Sequence, residues 1–154
     1  MNLAKNFTLA ELTHSDKAAL LGLDNTLTPA IIEELRLTAA MLQRIRDYLS
    51  TLRGRDTPMS DISGYRSLAV NRAAGSSDTS DHVKGKAADF KTAGMSPIEV
   101  CQALLPKMAE FGIEQMINEL TWVHVGRGKQ ANPINRVLTI DKHGTRPGIV
   151  PVRP

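Results

Sequence analysis

Only one of the 154 residues is cysteine, so no disulfide can form within the chain, and stability has to come from packing or a bound metal. Aromatic residues make up 4%, too few for the interleaved basic and aromatic pattern of a nucleic-acid platform. No apolar run approaches the roughly 20 residues a membrane helix needs. The amino-terminal stretch MNLAKNFTLAELTHSDK has neither an uninterrupted apolar segment nor a small-residue cleavage site, so export by the secretory route is not expected. Cys101 lies on the apolar side of PIEVCQALL, the setting of a buried, inert thiol rather than a nucleophile.

What is present fits a globular protein. Hydrophobic residues account for 42% and charged residues for 23%, ordinary values for a chain that buries a core. One domain over residues 1–154 is expected. The net charge of +3 is unevenly spread. From Gly126 to Pro154, Arg127, Lys129, Arg136, Lys142, Arg146 and Arg153 face only Asp141, a local excess of +5 that leaves −2 for the rest. Such a tail suits an anionic partner such as a nucleic acid, a membrane surface or a wall polymer, or it is simply a solvated basic face. The scarcity of aromatics argues against specific nucleic-acid binding.

Hydrophobic spacing predicts the elements. FTLAEL and SDKAALLGL read as short helical turns. Ile32, Leu35, Ala39, Leu42, Ile45, Leu49 and Leu52 recur at helical period after the cap Thr28-Pro29, predicting a helix over 29–52 that ends near Gly54. MSDIS is a short strand candidate, LAVNRAAG a short helix, and GSSDTS a loop. GKAADF reads as a strand with Ala87 and Asp89 on one face. Ser96 and Glu99 form a capping box that opens a second helix, which Pro106 interrupts and Gly112 closes. QMIN and TWVHVG alternate like paired strands. The sum is an α+β fold with a small, mostly antiparallel sheet flanked by helices.

Within this frame, SDHVKGKAADF places His82 on a loop and Asp89 on a strand, while WVHVG places His124 on another strand. Two histidines and an aspartate on rigid elements match the donor set of a catalytic zinc site with one position open. A polar loop beside a hydrogen-bonded core histidine is the competing reading, and spacing alone leaves both standing. His14 and His143 sit in polar segments and read as surface residues.

The block SGYRSLAVNRAAGSSDTSDHVKGKAADF, followed by NELTWVHVG, resembles the zinc-dependent D-Ala-D-Ala carboxypeptidase family of peptidoglycan peptidases. These are hedgehog-like metallopeptidases that also include dipeptidases and phage endolysins. The likeness runs from about Met59 to Gly126, through Gly64-Tyr65-Arg66, then Ser80, His82, Gly85, Ala87 and Asp89, then Trp122 and His124. It implies a hedgehog-like peptidase fold and a Zn2+ ion held by His82, Asp89 and His124. It also implies a general base shortly before the last ligand and an arginine facing the substrate.

Glu119 is the natural base and Glu114 the alternative. A two-residue turn at Leu120-Thr121 places Glu119 opposite Trp122 on the face of His124, although Leu-Thr is a poor turn dipeptide. Arg66 takes the substrate-facing role, or else pairs with Asp61 or Asp78. Ser80 either contacts substrate or caps the ligand loop. Tyr65 and Trp122 either line the cleft or pack, packing being the default for both. Gly85 lets the backbone turn tightly between two ligands.

The implied partners are peptidoglycan stem peptides, with no specific nucleic acid and an electrostatic contact between the basic tail and the anionic cell envelope. The implied setting is that of a monomeric phage endolysin held in the host bacterial cytoplasm until release. The competing classes are a metal-bearing interaction module without hydrolase activity and a basic nucleic-acid-binding domain.

Overall fold

The computed structural model describes residues 1–154. Strands β1 (Asn2–Ala4) and β2 (Phe7–Thr8) pair as a small ribbon, so Phe7 and Thr8 are extended rather than part of the predicted helical turn. Helix α1 (Leu9–Thr13) starts from Thr8, and α2 (Asp16–Leu21) from Ser15, each hydroxyl accepting a backbone N–H. Helix α3 (Pro29–Arg53) uses Thr28 as its cap and ends at Gly54 in the left-handed conformation. Strand β3 (Met59–Ser63) and helix α4 (Leu68–Ala73) follow, then β4 (Ala87–Thr92). Helix α5 (Pro97–Leu104) opens on the Ser96–Glu99 capping box. Pro106 falls in a 3-10 turn between it and α6 (Met108–Phe111), as expected of a residue with no N–H to continue the ladder.

Strands β5 (Gln115–Asn118), β6 (Val123–Gly126), β7 (Val137–Asp141) and β8 (Gly144–Pro147) complete a six-stranded sheet of order β3-β4-β6-β5-β7-β8. Every pairing is antiparallel except β5 with β7, which is parallel. The basic tail is therefore not a trailing segment. It crosses through a 3-10 turn, Pro133–Arg136, and lengthens the sheet by two strands.

Period-2 alternation sorts the sheet residues onto two faces. Ala88, Phe90, Met116, Val123 and Val125 join Leu35, Ala39, Leu42, Ile45 and Leu49 of α3 and Val100, Cys101 and Leu104 of α5 in one core. Cys101 is fully buried, and desolvation pushes its thiol up to about 12, so it packs and does not react. The opposite face of β4, β6 and β5 carries Asp89, His124 and Ile117, with the antiparallel register setting both Asp89 and Ile117 directly against His124.

Candidate metal centre

Asp89 and His124 are neighbours because β4 and β6 pair in register at that position. His82 arrives from a different kind of element, a 3-10 turn over Asp81–Lys84 where sequence reading placed a loop. Ser80 caps that turn by accepting the His82 N–H at 3.2 Å, and Gly85 ends it at φ 71°, a value glycine adopts without strain. The Gly-Tyr-Arg segment anchors the turn from the other side. Arg66 N–H donates to the His82 carbonyl at 3.1 Å, Tyr65 N–H donates to the Leu12 carbonyl at 2.8 Å, and His82 Nδ1 lies 2.7 Å from the Gly64 carbonyl. Gly64 has to be glycine: a Cβ there would run into the Leu12 carbonyl oxygen.

A carbonyl only accepts, so His82 Nδ1 carries a proton and Nε2 is the nitrogen left to face a cation. His82 Nε2 lies 3.3 Å from Asp89 Oδ1, and His124 Nδ1 lies 2.9 Å from the same oxygen. One donor atom from each residue falls within 4.8 Å of the other two, and all three residues are buried. Lone pairs converging this closely require a proton or a metal cation among them. The Asp89 Oδ2 atom is taken by the Arg66 guanidinium at 3.0 Å, which leaves Oδ1 for the cation. Burial pushes the Asp89 carboxyl up, but the charges and hydrogen bonds of His82 and His124 outweigh it and hold it far below the usual carboxylate range. Burial pulls the His124 imidazole down, but the hydrogen bond to Asp89 and the charges of Asp89, Glu119 and Asp81 together more than reverse this. Two imidazoles and a carboxylate on rigid supports fit a divalent zinc ion.

Glu119 stands beside this cluster. Its N–H donates to the Trp122 carbonyl at 3.0 Å and closes the β5–β6 turn. Leu120 takes φ 69°, a left-handed value that Leu rarely adopts, braced by its N–H donating to Asn118 Oδ1 at 3.2 Å. Trp122 Nε1 donates to Glu119 Oε2 at 2.8 Å and orients the carboxyl. Burial and the Asp89 charge raise the Glu119 pKa above that of an ordinary glutamate. Two depressions meet along Arg66, Asp89 and Trp122, one of about 850 Å³ toward α1, α2 and β3 and one of about 730 Å³ over His82, His124 and Glu119.

The sequence matches the peptidase M15 family over residues 5–126, which takes in every residue of this cluster. The chain belongs to the peptidase M15 family. Members are zinc-dependent, which implies a metallopeptidase and agrees with the buried His82–Asp89–His124 group. No individually curated protein matches the sequence.

In this M15 peptidase most of the residues singled out from sequence sit where they were expected, with Arg66 and Trp122 the departures. Arg66 pairs with neither Asp61 nor Asp78, which are held by Lys91 and Arg72. It binds Asp89, and Ser63 Oγ as well. Ser80 lines the cleft while capping the His82 turn. Glu114 lines neither depression, whereas Glu119 lines the second. Tyr65 packs in the core, but Trp122 is 37% exposed and lines both depressions. His14 and His143 are exposed. Gln115 was not singled out from sequence, yet its Oε1 lies 3.2 Å from His124 Nε2. Its place on the alternation of Gln115, Ile117 and Glu119 was the available signal, but one that needs the strand register to be read.

Proposed function

We propose that this M15 peptidase is a peptidoglycan endopeptidase that hydrolyses an amide bond of the stem peptide or its cross-link. It would act as a phage endolysin on the host wall after release from the cytoplasm. The observation that carries the reading is the cleft, which continues to both sides of the Arg66–Asp89–Trp122 line. A carboxypeptidase needs a closed end with a cation for the terminal carboxylate, and Arg66 has its Nε and Nη2 edge taken by Ser63 and Asp89, which leaves a single nitrogen rather than the two-nitrogen fork that grips a carboxylate.

Zinc held by His82, Asp89 and His124 would supply Lewis acidity toward the scissile carbonyl and acidify water at the site. The chain's own groups do the rest. Glu119 Oε2 is fixed by Trp122, leaving Oε1 to take a proton from the attacking water. The water oxygen bonds to the acyl carbon, the C–N bond breaks, and the proton held by Glu119 passes to the leaving amine nitrogen. The raised pKa of Glu119 favours keeping that proton until the amine accepts it. Arg66 lines both depressions and its Nη1 has no hydrogen-bond partner within the protein, so this nitrogen can donate to the carbonyl oxygen as negative charge develops.

The test is mass spectrometry of purified peptidoglycan digested with the protein, with and without a chelator and zinc add-back. Severed cross-links or released stems that need zinc support the endopeptidase. Loss of a single terminal alanine would replace it with a carboxypeptidase. No fragment from a folded, zinc-loaded sample would favour a binding module.

A further inference from the structure

His124 has a layer of support that originates outside the region matched to the family. The Gly128 and Asn135 carbonyls can only accept hydrogen bonds. Gln130 Nε2 donates to the Gly128 carbonyl at 2.9 Å, which turns Gln130 Oε1 away as an acceptor. Gln115 Nε2 has two hydrogens, and the two acceptors in reach are Gln130 Oε1 at 3.2 Å and the Asn135 carbonyl at 2.9 Å. With its amide nitrogen so committed, Gln115 presents Oε1 to His124 Nε2 at 3.2 Å, and that oxygen can only accept. A hydrogen therefore has to sit on Nε2, and the ring turns its Nδ1 edge toward Asp89 Oδ1.

We propose that Gln115, locked by Gln130 and the Asn135 carbonyl, is the positioning residue that keeps the proton on His124 Nε2 and delivers Nδ1 to the metal. The inference rests on the zinc reading of the triad and not on which bond is cut. It also gives the carboxyl-terminal segment a role. Gly128, Gln130 and Asn135 all lie beyond residue 126, where the family match ends, and the parallel pairing of Met116 with Val137 brings them to β5. A metal-bound histidine whose second nitrogen is held by an outer partner is fixed in both tautomer and orientation, and loss of such a partner typically weakens metal binding about 10–100-fold.

The experiment compares the wild type with Gln115→Met and Gln130→Met. Zinc affinity is read by competition with a chelating indicator, the His124 Nε2–H by 1H–15N spectroscopy of the zinc-loaded protein, and folding by thermal melting. In the wild type this proton gives an exchange-protected resonance. In Gln115→Met it shifts and exchanges rapidly with water while zinc binding weakens about 10–100-fold. Gln130→Met, which removes one of the two anchors, moves both readouts the same way by less. Gln115→Met with wild-type affinity and a protected resonance overturns the inference while leaving the metal site intact. If Gln115→Met fails to fold, wild-type values in Gln130→Met overturn it. A wild-type chain that takes up no zinc overturns the inference and the metal reading together. Failure to cleave peptidoglycan touches neither.

Discussion

Arg66 binds one oxygen of Asp89, and the two histidines converge on the other. Each side chain in the cluster thus has one edge tied down and one edge presented: His82 by the Gly64 carbonyl, Asp89 by Arg66, Glu119 by Trp122. Two predictions belong at this scale. Glu119→Gln keeps the Trp122 contact but cannot accept the water proton, so turnover falls about 10²–10⁴-fold while zinc content measured by atomic absorption is unchanged. Wild-type turnover in that variant would remove Glu119 from the base role. Gly64→Ala forces a methyl against the Leu12 carbonyl and displaces the carbonyl that holds His82. It should destabilise the fold by about 1–3 kcal/mol in urea titrations and weaken zinc binding as well. Residue type marked His82, Asp89 and His124 as possible ligands, because few side chains bind metal, but spacing left a polar-loop reading standing and it was the family resemblance that implied the set. Arg66's partner and Gln115 were not legible, because guanidinium and amide groups pair with whatever the fold brings near.

At the scale of elements, the hydroxyl caps at Ser15, Thr28 and Ser96 and the stops at Gly54 and Gly112 lie where local chemistry puts them. The ribbon β1–β2 was not anticipated, since strands of three and two residues carry too few alternations to be read, and neither was the hairpin β7–β8, whose segment was read only as a basic tail. The second is held by a buried carboxylate. Asp141 accepts from Arg153 and Arg146, and the Arg153 hydrogen bond foremost keeps its pKa below the usual range. A carboxyl depressed in the folded state stabilises above its unfolded value of about 3.9, and that contribution is lost as pH falls through the folded value. The stability difference between the wild type and Asp141→Asn, measured by denaturant titration, should be constant above about pH 5 and shrink below about pH 4. A gap that widens toward acid would contradict this ion-pair account.

Across the whole molecule, the charge of the tail is partly internal. Arg127 pairs with Glu34, and Arg146 and Arg153 share Asp141, so the cations left for an anionic envelope are Lys129, Arg136 and Lys142. The metal site joins β4, β6 and the His82 turn, so an ion bound there stabilises the fold as a whole. Zinc at about 100 times its dissociation constant should add about 2.7 kcal/mol, a rise in melting temperature of roughly 5–10 °C for a chain of this size, reversed by chelator. An unchanged melting temperature would mean that no ion binds the native state.

The sequence by itself determined the α3 core stripe, the helix caps, the alternation that puts Asp89 and His124 on faces of their strands, and the three ligand types. These follow from period and local chemistry, which act between residues near in the chain. Only the tertiary structure decided that Asp89 stands opposite His124, that Arg66 secures Asp89, and that Gln130 and Asn135 reach back to Gln115. Those contacts depend on strand register and on the parallel crossing of β7. Both are set by how the apolar faces of distant segments fit together, which no local pattern records.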